Sequence, residues 1–96
     1  MIRSFGDSAT EDLYHGRKTA KTKRFPTTIV STELRKMDML NAAVELTDLK
    51  VPPGNRLEAL KGELIGFQSI RVNDQWRLIF KWIDHGANEV KLVDYH

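Results

Sequence analysis

From residue 67 onward, apolar and polar positions alternate with a period of two. In QWRLIFKWI, Trp76, Leu78, Phe80 and Trp82 interleave with Arg77, Ile79, Lys81 and Ile83. In FQSIRV, Ile70 and Val72 interleave with Phe67, Ser69 and Arg71. That alternation predicts strands, because successive side chains of a strand point to opposite faces. RLEAL and NEVKLVDYH add two more, separated by turn residues at 62–66, 73–74 and 84–88. Upstream of Gly54 the spacing changes. Val30, Leu34, Met37, Leu40 or Asn41, and Val44 advance by threes and fours, with Ala42, Ala43 and Leu46 widening the stripe. A helix is therefore predicted from Thr27 or Thr28 up to the breaker VPPGNR. A shorter helix is predicted in DSATEDLYHG, capped by Asp7 or Ser8 and ended by Gly16. Ile2 to Phe5 reads as a short first strand. Helices ahead of a run of strands predict an α+β domain, an antiparallel sheet with two N-terminal helices on one face.

The turn between the middle strands decides which side chains share a face. A two-residue turn at Asn73–Asp74 sets Ile70 against Arg77 and Arg71 against Trp76, mixing core with charge. A three-residue loop, Asn73 to Gln75, sets Val72 against Trp76, Ile70 against Leu78 and Arg71 against Arg77, with Lys81 further along the same face. The three-residue register is the one predicted. It has a cost, since directly opposed like charges destabilise by a few tenths to about 1 kcal/mol. The two arginines either point apart into water or hold an anion between them.

Ninety-six residues with 41% hydrophobic and 29% charged side chains fit one globular domain, residues 1–96. Apolar runs are far shorter than the roughly 20 residues of a membrane span. The start, MIRSFGDSAT, has no apolar core of a secretory signal, and the chain has no cysteine. A cytoplasmic protein with no membrane contact is expected. The net charge is only +2, but its distribution is uneven. Arg17, Lys18, Lys21, Lys23 and Arg24 form a run without an acid, and a second group of cations lies between Lys50 and Lys81. A basic face is compatible with that small total. Three scattered histidines without cysteine predict no metal site and no cofactor.

RLEALKG, the string QSIRVNDQWRLIFKW and the terminal VDYH resemble the HigB branch of the RelE-like toxins. The MIRSF start and the helical middle match as well, so the likeness covers nearly the whole chain. The resemblance implies the RelE-like fold with a twisted antiparallel sheet. It also implies the toxin of a type II toxin–antitoxin system: a ribosome-dependent endoribonuclease, or mRNA interferase, that cuts mRNA in the A site and inhibits translation and growth. A HigA-like helix-turn-helix antitoxin would neutralise it.

Metal-free RNA cleavage needs a 2′-hydroxyl deprotonated, an extra negative charge stabilised and a leaving oxygen protonated. By resemblance, Arg77 binds the scissile phosphate, and its planar, permanently charged fork makes Arg77→Lys non-conservative. Lys61 would add a second cation; by the predicted register, Arg71, with Lys81 further along the same face, would extend the RNA-binding surface. Tyr95 and His96 match the terminal Tyr-His of the branch. His96 has the imidazole suited to passing a proton, Tyr95 can stack on a base or donate to the phosphate, and Asp94 can orient His96 or an arginine. Some relatives carry a histidine in the RLEAL segment, where this chain has Glu58. The general base therefore stays open between His96, Glu58 and a neighbouring amine.

Lys18, Lys21 and Lys23 predict a flexible basic arm against ribosomal RNA, a segment ordered by the antitoxin, or a solvated loop. His15 and His85 are expected at the surface. Two other classes compete with the nuclease: a non-catalytic RNA- or ribosome-binding module using the same cations, and an inactivated toxin-fold protein kept as a binding partner.

Overall fold

The computed structural model describes residues 1–95. Its sheet has four antiparallel strands in sequence order: β1 Glu58–Ala59, β2 Gln68–Arg71, β3 Trp76–Ile83 and β4 Gly86–Asp94. The register between β2 and β3 is the predicted one, with Ile70 opposite Leu78 and Arg71 opposite Arg77. Both Val72 N–H and Asn73 N–H donate to the Trp76 carbonyl, at 2.9 and 3.2 Å, closing the three-residue loop. Asn73 is the residue that makes this loop. Its side-chain oxygen accepts from the backbone of Gln75 and Trp76, both at 2.8 Å, as a turn asparagine does.

The β3–β4 turn is tighter than the predicted 84–88. Ile83 pairs with Gly86, and Asp84 and His85 take positive φ of 51° and 60°, the pattern of a two-residue hairpin turn. Further along β4 the pairing slips by one residue between Ile79 and Lys81, where Glu89 has φ of 54°. This is a β-bulge, and it splits the expected first strand in two. Ile2 and Phe5 form isolated parallel bridges to Ala87 and Val90 on either side of the bulge.

One face of the sheet, carrying Ile70, Val72, Trp76, Leu78, Phe80, Val90 and Leu92, buries against the helices. Helix α1, Ser8–Tyr14, is capped by the Asp7 carboxylate, which accepts from Thr10 N–H at 2.8 Å. It contributes Leu13, and the chain beyond it contributes Phe25, whose ring meets Trp76 edge-on at 5.7 Å. Helix α2, Val30–Ala42, contributes Met37 and Leu40, both fully buried. Among the described residues no helix is long and apolar enough to cross a membrane.

Two expectations for α2 fail. The helix ends at Ala42 rather than at VPPGNR, and Val44 is 66% exposed instead of continuing the stripe. The cause is local capping. Asp48 accepts from the backbone N–H groups of Val44 and Glu45, both at 3.0 Å, and a capping box starts a short 3-10 turn over Leu46–Lys50. Those two N–H donors, Glu45 first, hold the Asp48 carboxyl below its usual range. Leu49 enters the core downstream of the exposed Val44. The inner face of α2 also carries two charged residue types, Glu33 and Lys36, which no apolar stripe predicts.

Candidate functional site

The face of the sheet turned away from the helices carries the cations. Pleat parity puts Glu58, Ser69, Ile79 and Lys91 in one cross-strand row, and Arg71, Arg77 and Val93 in the next. Its floor is dry: Leu60, Ser69 and Ile79 are all buried, although they lie outside the main core. The ladder extends past β4, since Tyr95 N–H donates to the Gln75 carbonyl at 2.6 Å.

Arg77 is the centre of this face, and it is tightly held. One terminal nitrogen donates to the Arg56 carbonyl at 2.8 Å, and the other lies 3.3 Å from a Glu58 oxygen. The Tyr95 ring covers the guanidinium carbon at 5.5 Å. The side chain is only 13% exposed, and its buried Nε–H has no hydrogen-bond partner among the described residues. Arg56 occupies the left-handed region at φ 46°, ψ 55°, and its carbonyl fixes one edge of the Arg77 fork. With Nη2 pinned to the Arg56 carbonyl, Nη1, which faces Glu58, is the donor an incoming anion can take. Glu58, half exposed, takes part of that anion's place in the free chain.

The other predicted site residues are dispersed around this centre. Arg71 lies directly opposite Arg77, and its guanidinium turns to the exposed carboxylate of Asp74, which relieves the repulsion. Lys81 sits two residues beyond Ile79, paired to Glu89 at 3.0 Å and resting 5.1 Å from the Phe67 ring. Lys61 is exposed in the turn after β1, next to Leu60, whose N–H donates to the Phe67 carbonyl at 2.9 Å. Asp94 pairs opposite Trp76 and so shares its pleat rather than that of Arg77; it accepts from Gln75 Nε2 at 2.9 Å. His96 lies outside the described residues. His15 and His85 are exposed, as expected.

The basic run packs beside α1 and is tied to it at both ends. Asp12 binds Arg17 at 3.3 Å and Thr19 at 3.1 Å, and Asp7 binds Arg24 at 3.1 Å. Lys18 and Lys23 rim a cleft of about 500 Å³ floored by Leu13, Phe25, Val30 and Leu34.

Sequence reasoning missed the buried polar groups behind the site. Glu33 is fully buried with neither carboxyl oxygen hydrogen-bonded among the described residues, and burial, reinforced by Asp38, pushes its pKa up to about 8. Lys36 is buried beneath the cation face. Desolvation, then the charges of Arg35 and Arg71, pull its pKa below the usual lysine value. The only signal for either was a charged residue at helical spacing from Met37 and Leu40, which an exposed face equally allows. Among the described residues no cluster of three or more His, Cys, Asp or Glu could hold a metal ion.

Residues 3–96 match the family described as the RelE-like toxin of type II toxin–antitoxin system HigB. The chain is 44% identical to Toxin HigB-1 of Vibrio cholerae over 84 residues, covering 88% of this chain and 86% of that one. Among solved structures it resembles the YoeB–YefM complex from Staphylococcus aureus, with a TM-score of 0.61, 16% identity, and coverage of 100% of this chain and 98% of the other. It also resembles a YafQ mutant from E. coli, with a TM-score of 0.64, 17% identity, and coverage of 98% and 93%. At such identities these two likenesses establish the shared fold.

Proposed function

The chain belongs to the HigB-like family of RelE-like type II toxins, and from that premise we propose that it is a ribosome-dependent endoribonuclease cutting mRNA in the A site. The observation that carries this reading is the state of Arg77: buried, clamped, roofed by Tyr95, and beside a carboxylate on the same face. A surface that only attracts RNA has no need to immobilise one arginine below solvent. A surface that must meet a phosphorane does, because preorganised charge costs no rearrangement during reaction.

The chemistry follows from the residues present. The scissile phosphate takes the Nη1 donor of Arg77, displacing Glu58 from the guanidinium. Glu58 accepts the proton of the 2′-hydroxyl, the 2′-oxygen attacks phosphorus in line, and the bond to the 5′-oxygen breaks. The leaving oxygen gains a proton, for which His96 is the candidate by its imidazole. The products are a 2′,3′-cyclic phosphate and a 5′-hydroxyl. Tyr95 provides a ring for a splayed base while it covers Arg77. Arg71 and Lys81 extend positive charge along the strand of message, each ready to exchange an exposed carboxylate for phosphate. Asp94 and Lys61 are assigned to binding at the margins. A HigA-like helix-turn-helix antitoxin silences the chain until it is released.

Primer extension on a translated mRNA tests the reading. Cuts are expected only with ribosomes present, and Glu58→Gln is expected to slow them about 100-fold. Cleavage of naked RNA at the same rate, or full activity in Glu58→Gln, contradicts the mechanism. Ribosome binding with no cleavage at all favours the non-catalytic module instead.

A further inference from the structure

We propose that Lys36 and Asn55 are positioning residues for Arg77. They form a buried polar strut that runs from α2 to the turn ahead of β1 and fixes the carbonyl holding the guanidinium. The catalytic consequence rests on the nuclease reading; the mechanical one does not.

The strut can be followed atom by atom. The Lys36 ammonium donates to the side-chain oxygen of Asn55. Asn55 is fully buried, and its amide donates to the carbonyls of Leu49 and Val51, at 3.1 and 3.4 Å. The same residue closes a 3-10 turn, with Asn55 N–H on the Pro52 carbonyl at 3.0 Å and Arg56 N–H on the Pro53 carbonyl at 3.1 Å. Arg56 then turns into the left-handed region, and its carbonyl accepts from Arg77 at 2.8 Å. Three side chains, Lys36, Asn55 and Arg77, and one turn thus connect the helix layer to the open face through the edge of the sheet.

Two features point to positioning rather than to stability alone. An ammonium group is an expensive thing to bury, and a methionine at position 36 would cover the same core area without that cost. Asn55 is fully buried, and both ends of its side-chain amide are engaged, the oxygen by Lys36 and the nitrogen by the carbonyls of Leu49 and Val51. Left-handed backbone at a residue with a side chain is disfavoured and persists where its surroundings enforce it. Here the enforced product is a carbonyl aimed at the Arg77 fork. A guanidinium pinned at Nη2 presents Nη1 in one orientation, whereas an unpinned one samples several.

The test uses the intact chain with Lys36→Met and, as conservative control, Lys36→Arg. The first readout is the ¹⁵N side-chain spectrum of Arg77, assigned by the loss of its signal in Arg77→Lys. Lys36→Met is expected to raise solvent exchange of the Arg77 Nε–H about tenfold while backbone protection in β3 stays unchanged. The second is ribosome-dependent cleavage, expected to lose about 10- to 100-fold in kcat with KM for the ribosome complex nearly constant, as a misplaced clamp predicts. Lys36→Arg is expected to recover most of both. If Lys36→Met does not fold, Asn55→Asp replaces it with the same expectations, since it keeps the Lys36 contact and removes the amide donors. An unchanged Arg77 signal, or cleavage that falls only in step with the folded fraction, overturns the proposal. A chain in which Arg77 loosens as expected, yet the wild type never cuts RNA, leaves the strut standing and removes the nuclease.

Discussion

The open face of the sheet and the helical side of the molecule both gather charge, and they handle it in opposite ways. On the open face Arg77 is nearly withdrawn from solvent and has named partners for two of its three nitrogens. On the helical side Lys18, Lys21 and Lys23 are exposed, and no ion pair involves them among the described residues. A count of cations would rank the basic run first, since five of its eight residues from Arg17 to Arg24 are basic. Constraint ranks it second. Free surface lysines supply affinity that salt erodes, whereas a clamped guanidinium supplies geometry. On the proposed mechanism, the reactive site is the place where packing constrains a charge.

The largest expected effect separates the two opposed arginines. Arg77→Lys removes the fork and is expected to slow cleavage by about 100- to 1,000-fold, while Arg71→Lys, which keeps a point charge at an exposed position, costs less than about tenfold. Single-turnover rates on translated message check this, and equal losses would mean that burial does not distinguish the pair.

Next in size is the buried acid of α2, which has no hydrogen-bond partner among the described residues. Glu33 has a folded pKa of about 8 against an ordinary 4.5, so the stability of its protonated burial is complete below pH 4.5 and is lost as pH rises toward 8. The loss amounts to about 3 kcal/mol between pH 5 and pH 8. Urea denaturation across that range is expected to show it, and Glu33→Gln is expected to flatten the slope. A wild-type curve already flat would place Glu33 with a partner at neutral pH.

Smaller effects test the surface charges. Replacing Lys18, Lys21 and Lys23 with serine is expected to lower the log–log salt slope of ribosome binding by about 2, with the cleavage step unchanged. No change in slope would mean the segment is idle or serves the antitoxin. Arg71→Ala is expected to stabilise the free chain by a few tenths of a kcal/mol, up to ~1, by removing the repulsion across the hairpin. Destabilisation instead would show the Asp74 contact outweighing it.

How much of this was legible depended on the range of the forces involved. The β2–β3 register could be read because one wrong residue in the loop would set Trp76 against Arg71, and the burial penalty decides that without further information. The end of α2 could not. Val44 continues the apolar period, and the interruption comes from Asp48 capping backbone N–H groups, an alternative local structure that competes with the helix on nearly equal terms. The basic run was visible as charge, but its fastening to Asp7 and Asp12 depends on the path of the chain around α1. At the site, Arg77 and Tyr95 are recognisable in the strings that carry the resemblance, whereas Glu58 stands where some relatives have a histidine. The Arg56 carbonyl is backbone and has no sequence signature, and Lys36 looks like any surface lysine of a helix.

The most direct measurement of the central claim compares single-turnover cleavage of ribosome-bound message by Arg77→Ala and by the variant with serine at positions 18, 21 and 23, at one salt concentration and saturating enzyme. The account predicts that Arg77→Ala binds the ribosome but hardly cuts, while the triple variant cuts at the wild-type rate. Cleavage that survives in Arg77→Ala and disappears in the triple variant would contradict it.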